Sequence, residues 1–191
     1  MNTSKNHRTE VWAKLILSTK DAERIRELFV TDFGVKPHRI VEKMHITIYH
    51  ARRPLARLMP IIEKANVVLA AGDTRFMVMA PGGENPRPEH DPTKSTIGIR
   101  IHRQSFTIMT ILSYRRRMLA FETPYILGNR NPSTEKKSAF GARAYQPHMS
   151  VLRPGNRISQ DLKIIGQRFR ESMGELTFDT FVVEIVEKTS Y

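Results

Sequence analysis

Two short stretches of alternating residues constrain the fold of this chain most. Residues 44–50 read MHITIYH and residues 147–153 read PHMSVLR, so apolar and polar side chains take turns in both. A period of two is typical of a half-buried strand, with one face against the core and the other facing outward. Each outward face carries an imidazole and a hydroxyl, and these candidate site residues are His45 with Thr47, and His148 with Ser150.

The rest of the pattern predicts strands and helices that interleave along the chain. Strands are expected at 10–18, 44–49, 74–80, 95–102 and 144–152, with a last one inside 175–188. Helices are expected at 19–34, 105–122 and 158–173, and polar loops at 81–94 and 123–142. The apolar segment before residue 74 is ambiguous. This order favours an α/β or α+β sheet, and the length fits one domain spanning 1–191.

The first predicted helix has recognisable ends. Thr19 or Asp21 can cap its N-terminus, and Gly34 is expected to end it. Its apolar stripe is formed by Ile25, Leu28, Phe29 and Phe33.

The composition bounds the setting in which the protein works. There is no cysteine, which excludes a disulfide framework and thiolate metal ligands and favours a reducing, cytoplasmic location. The N-terminal residues are polar and do not resemble a secretory signal. No apolar run approaches the ~20 residues that span a bilayer, so we expect no membrane association. We take the protein to be a monomer.

The strong positive charge bears on the partner. The chain has 31 Lys and Arg residues against 19 Asp and Glu, a formal net charge of +12. Such a surface attracts phosphates, which favours a nucleic acid or nucleotide partner, although it also serves solubility. The cluster Arg115, Arg116 and Arg117 is expected at the solvated end of a helix.

The paired motifs suit chemistry at phosphorus. Side chains at i and i+2 of a strand lie ~7 Å apart on one face, so one phosphate can contact both. The imidazole can transfer a proton while the hydroxyl donates to a nonbridging oxygen. Two imidazoles supply an acid and a base, and donors to the developing charge make a metal or other cofactor unnecessary. The alternative is that both histidines are ordinary structural residues.

One further match to the motif is set aside. His7, Arg8 and Thr9 have the same spacing but lie in a polar stretch without a strand pattern. The remaining histidines, which lack the motif, are expected to be structural or at the surface; they are His38, His50, His90 and His102.

The two motifs, one in each half of the chain, resemble those of the two-histidine (2H) phosphoesterases. That superfamily includes bacterial RNA 2',3'-cyclic phosphodiesterases and 2'-5' RNA ligase-like proteins. Residues 145–153, YQPHMSVLR, are especially similar to its second motif, and residues 44–50 are similar to its first. The resemblance implies a bilobal α+β fold, in which two pseudo-symmetric antiparallel sheet lobes with outer helices face a basic groove.

The resemblance also implies roles for the motif residues. His148 would activate water and His45 would protonate the leaving oxygen, while Thr47 and Ser150 would bind nonbridging oxygens. The two histidines would exchange roles in the ligating direction.

Three further residues are candidates for substrate binding. Tyr49 is two residues beyond Thr47 on the alternating pattern, so it could stack on a base, or it could simply pack. Tyr145 is expected to flank the groove. Arg153 is expected to reach the phosphate from the end of its strand.

Three functions remain open at this point. The first is a metal-independent phosphodiesterase acting on 2',3'-cyclic phosphates or 2'-5' linkages at RNA termini. The second is a hydrolase of cyclic or 2'-5' oligonucleotide second messengers, in defence or anti-defence. The third is a non-catalytic RNA-binding protein, against which the two intact motifs argue because a binder has no need of both imidazoles.

Overall fold

A computed structural model describes residues 6–52, 55, 57–128, 145–155, 158 and 160–190. These residues form seven strands and three helices. The strands are β1 (Asn6–Leu17), β2 (His45–Ala51), β3 (Ile61–Ala70), β4 (Thr74–Met79), β5 (Thr96–Ile101), β6 (His148–Leu152) and β7 (Glu175–Ser190). The helices are α1 (Thr19–Thr31), α2 (Thr107–Gly128) and α3 (Leu162–Met173).

All seven strands belong to one antiparallel sheet, in the order β3-β7-β1-β2-β6-β5-β4. The α+β class is therefore confirmed. The predicted strands are all present with shifted ends, and β1 begins at Asn6 rather than at residue 10. The stretch from His7 to Thr9, which was expected to lack strand structure, is thus part of β1.

One edge strand was not predicted. β3 lies in the apolar segment that looked ambiguous, because Ile61–Ile62 and Val67–Leu69 are unbroken apolar runs that suit a helix as well as a strand. Its register with β7 also shifts between Lys64 and Val67, which interrupts the alternation.

The start of α1 differs from the prediction in a simple way. The cap is Ser18, whose Oγ accepts a hydrogen bond from the backbone N of Asp21 at 3.2 Å. Asp21 instead joins the helix to β7, because its Oδ2 accepts from the backbone N of Thr177 at 2.8 Å. The predicted apolar stripe is confirmed in its central part, since Ile25 and Phe29 are fully buried.

The second helix is longer than predicted and placed differently. It continues through Gly128, although a polar loop was expected from residue 123, and residues 129–142 of that predicted loop lie outside the described residues. Arg115 is in mid-helix and only 2% exposed, so the prediction of a solvated helix end is wrong for this residue.

The core lies on one face of the sheet. Directly opposed residues of six neighbouring strands form a buried row, in the order Phe76, Ile99, Met149, Ile46, Leu15 and Phe181. The helices cover this row: Phe29 of α1 stacks on Phe76 at 5.5 Å, and Tyr114 of α2 meets Phe181 at 4.8 Å. The opposite face carries the motif residues. No helix among the described residues is long and apolar enough to cross a membrane.

Candidate active site

The two motif strands are neighbours at the centre of the sheet. β2 and β6 pair antiparallel through Ile46 and Met149, and both of these side chains are fully buried in the core. Because side chains alternate between faces, the residues on either side of this pair point to the opposite face. The structure thus brings four predicted residues together there, and they are His45, Thr47, His148 and Ser150.

The register sets how these four side chains face one another. Extending the Ile46 pairing by one residue in each direction places Thr47 beside His148 and His45 beside Ser150. The two histidines are then diagonal neighbours, for which a separation of ~7–8 Å is typical. That spacing leaves room for a phosphate between the rings.

Each histidine ring is held by the backbone just before its strand. Nδ1 of His45 lies 2.9 Å from the carbonyl oxygen of Lys43, and Nδ1 of His148 lies 2.9 Å from that of Gln146. A carbonyl oxygen only accepts, so in both rings Nδ1 must carry the hydrogen. The neutral rings therefore present an unprotonated Nε2, the form that a general base requires.

The two motifs also share the same backbone geometry. The register shifts after Thr47 on β2, where Tyr49 pairs with Ala13, and after Ser150 on β6, where Leu152 pairs with Ile97. In each strand the residue three positions after the histidine is therefore bulged out of the ladder. The residue before each histidine makes the same kind of hydrogen bond to a neighbouring strand. The carbonyl of Met44 accepts from the backbone N of Leu17, and that of Pro147 accepts from the backbone N of Ile101, both at 3.0 Å.

Burial is the main influence on the acidity of the two histidines. It lowers the pKa of both His45 and His148 below the ordinary value of 6.5, because a half-buried ring is harder to charge. The hydrogen bonds from Nδ1 to the backbone carbonyls oppose this effect, since they favour the charged ring. Both rings are thus mainly neutral at pH 7.

Two cations that sequence analysis did not single out lie beside the histidines. Lys14 of β1 is directly opposite Thr47, and Arg100 of β5 is directly opposite His148. Their positive charges lower the pKa of His45 and of His148, respectively. Lys14 also forms an ion pair with Glu184 at 2.5 Å. Lys14 could have been noticed in the sequence as the one charged residue between positions 11 and 17, whereas Arg100 could be found only from the strand register.

A loop residue packs directly against one catalytic candidate. A Cβ added to Gly83 would lie 2.1 Å from Nδ1 of His148, far closer than real Cβ atoms approach. Gly83 has a φ of 76°, in the region that favours glycine. Arg100 holds this loop, because its guanidinium donates to the carbonyl of Gly83 and to Oδ1 of Asn85.

The prediction that Tyr49 shares a face with His45 is wrong. The bulge after Thr47 pairs Tyr49 with Ala13 on the core face, where the tyrosine is 2% exposed. The aromatic residue that lies on the same face as the four motif residues, the motif face, is Trp12 instead. It is directly opposite His50 and stacks on that ring at 3.7 Å.

Tyr145 is buried rather than placed at the flank of the groove. It is 5% exposed, and burial raises the pKa of its hydroxyl. The hydroxyl donates to the carbonyl of Thr47 at 2.9 Å, so the residue ties the start of β6 to β2. Arg115 lies 4.5 Å above the tyrosine ring, and its Nη1 donates to the carbonyl of the bulged Ile48 at 3.0 Å.

Arg153 and Ser150 have partners of their own. Nε of Arg153 donates to the carbonyl of Ile40 at 3.3 Å, and five strand residues place its backbone ~16 Å from His148. Its contact with a phosphate stays a prediction. The Ser150 hydroxyl donates to Oγ1 of Thr96 at 3.1 Å, which adds a second hydroxyl at this side of the site.

Two further observations complete the description of the site. Within the part of the chain that the structure describes, no group of three His, Cys, Asp or Glu residues is arranged to hold a metal ion. The chain matches no model of a known protein family, and a search of curated proteins likewise finds no match.

Proposed function

We propose that this protein is a metal-independent phosphodiesterase that uses His45 and His148 as an acid–base pair. The substrate class is a 2',3'-cyclic phosphate or a 2'-5' phosphodiester linkage in RNA or an oligonucleotide. One observation carries the proposal: two adjacent strands present a histidine and a hydroxyl each on the same face, with both Nδ1 atoms hydrogen-bonded to the carbonyl two residues upstream.

The geometry suits in-line displacement at phosphorus. Nε2 of neutral His148 takes a proton from water, whose oxygen forms the new bond to phosphorus. On the opposite side, charged His45 donates its Nε2 proton to the ribose oxygen as the phosphorus–oxygen bond breaks. The protons balance, because His148 gains one proton from water while His45 gives one to the ribose oxygen, and exchange with solvent restores both rings.

Stabilisation of the phosphate charge falls to the groups around the rings. When substrate binds, the Thr47 hydroxyl donates to one nonbridging oxygen, and the Ser150 hydroxyl turns away from Thr96 to donate to another. Lys14 and Arg100 border the pair on its two sides and add positive charge where the transition state is negative. Trp12, partly exposed on the same face, offers a surface for a base to stack on.

The repeated backbone also supports the bilobal arrangement that the sequence suggested. A strand–helix–strand unit occurs twice, as β1-α1-β2 and as β5-α2-β6. Each motif lies on the last strand of its unit and carries the same bulge. The two units meet where β2 pairs with β6 at Ile46 and Met149, and at an isolated bridge between Ile40 and Leu152. We infer two pseudo-symmetric lobes related by an axis between β2 and β6.

The direct test is a substrate panel assayed in EDTA. It contains nucleoside 2',3'-cyclic phosphates, an RNA ending in such a phosphate, 2'-5' oligoadenylate and cyclic dinucleotides. His45→Ala and His148→Ala are measured beside the wild type, with His38→Ala as an exposed control. We expect turnover that survives EDTA, falls by about 10² to 10⁴ in each motif variant and is unchanged in the control.

The outcomes separate the remaining alternatives. A preference for 2'-5' oligoadenylate or a cyclic dinucleotide would indicate the second-messenger hydrolase. Turnover that EDTA abolishes would contradict the mechanism. No turnover on any substrate, with RNA binding unchanged in both motif variants, would leave a non-catalytic RNA-binding protein.

A further inference from the structure

A row of side chains extends from the motif histidines to the edge of the sheet. Arg100 on β5 is directly opposite His148, and Arg75 on β4 is directly opposite Arg100. Directly opposed residues share a face, and neighbouring strands lie about 4.8 Å apart. The Arg75 backbone is therefore about 10 Å from that of His148, on the same face.

The two arginines lack negative partners in the described structure. Arg100 donates to two neutral oxygens, those of Gly83 and Asn85. Arg75 is exposed and makes no hydrogen bond or ion pair with another described residue. Like charges directly opposite one another are unfavourable in a sheet unless an anion joins them. Burial lowers the pKa of Arg100 most, and the nearby positive charge of Arg75 lowers it further.

The positive surface continues beyond the edge strand. Arg75 also lines a cleft of about 600 Å³ between β4 and α3, together with Lys163 and Arg170. Asp161 lines the same cleft, but its Oδ1 accepts from the backbone N of Lys163 as the cap of α3. A chain of phosphates lying across β6, β5 and β4 would thus meet cations along its whole path.

We propose that this row binds the backbone of an oligoribonucleotide, with the reacting phosphate at the histidines and the next phosphate between Arg100 and Arg75. This inference rests on the proposed function and narrows it, because it makes the substrate a strand rather than a mononucleotide. The two arginines in a row indicate a ligand with several phosphates, because a single phosphate at the histidines would make no contact with Arg75.

The test compares two substrates that share a reacting end. One is a nucleoside 2',3'-cyclic phosphate and the other is a tetraribonucleotide ending in the same group; for a 2'-5' linkage the pair is a dimer and a tetramer. Arg75→Gln is compared with Arg116→Gln, which removes the same charge from an exposed position of α2 on the other side of the sheet. We expect Arg75→Gln to lower kcat/KM about tenfold for the longer substrate and less than twofold for the shorter one.

A binding measurement keeps the inference testable without turnover. The chain has one tryptophan, Trp12, on the motif face, so its fluorescence can follow binding of the tetraribonucleotide with a linear terminal phosphate. Arg75→Gln should weaken this binding about tenfold and lower the slope of log Kd against log salt by about 0.7. Equal effects of Arg75→Gln and Arg116→Gln on the longer ligand would overturn the inference. Loss of turnover on every substrate, with the Arg75 effect on binding intact, would overturn the proposed function alone.

Discussion

At the scale of residues, the motif histidines are oriented by the backbone just before the strand on which each lies. Each Nδ1 is bonded to a carbonyl two positions upstream, so the tautomer is set before a substrate binds. The identities of the four motif residues could be predicted, because alternation alone places a histidine and the hydroxyl two positions later on one face. The tautomer could not, since it depends on the path of the backbone just before His45 and His148.

The contact between Gly83 and His148 leads to a test at this scale. Gly83→Ala would place a Cβ against Nδ1 of the ring, which must then rotate or push the loop away. We expect kcat to fall about 10²-fold, as small misplacements of catalytic groups commonly cost this much. KM should change little, because the hydroxyls that we propose bind the phosphate, those of Thr47 and Ser150, are untouched.

The control separates backbone strain from the effect on the ring. Gly34 also has a positive φ, of 63°, but nothing lies within 4 Å of a Cβ added there. Gly34→Ala should cost ~1–2 kcal/mol of stability and leave kcat unchanged. Equal losses of kcat in both variants would contradict the positioning role of Gly83.

At the scale of elements, the bulges explain which residues were misjudged. Tyr49 was assigned to the motif face because alternation was extended through Ile48, the position where β2 bulges against β1. Bulges are set by the partner strand, so a single strand's sequence does not reveal them. Likewise, β3 was missed because its apolar residues follow no regular period. α1 and α3 were predicted because their apolar residues recur with the period of a helix.

The link between the two motif strands gives the second test. β2 and β6 pair directly at one position, and the Tyr145 hydroxyl adds a hydrogen bond to the Thr47 carbonyl. Tyr145→Phe leaves that carbonyl without this donor, and we expect a loss of ~1–2 kcal/mol in the free energy of unfolding, measured in urea.

Tyr114 provides the matched control. Its ring packs on the core residue Phe181, and the change Tyr114→Phe, like Tyr145→Phe, removes only a hydroxyl. We expect this variant to unfold within ~0.5 kcal/mol of the wild type. Equal stabilities of the two variants would show that the Tyr145 hydrogen bond does not join the strands.

At the scale of the whole molecule, the site exists only where the two halves of the chain meet. Interleaved strand and helix patterns were enough to predict an α+β domain, because each element is local in sequence. The pairing of Ile46 with Met149 is not local, and with it come the placements of Lys14, Arg100 and Arg75 on the motif face. Arg100 and Arg75 could therefore be assigned only from the register, whereas Lys14 was also visible as a lysine within an apolar stretch.

The measurement that tests the central claim most directly is the pH dependence of kcat/KM in EDTA. The base must be neutral and the acid charged, so the rate falls below the pKa of one histidine and above that of the other. Because both pKa values lie below 6.5, we predict a bell-shaped curve with its maximum below pH 6.5 and a tenfold fall per pH unit on the alkaline side. The exposed control His38→Ala should give the same curve. A rate that instead keeps rising through pH 8 would contradict acid–base catalysis by His45 and His148.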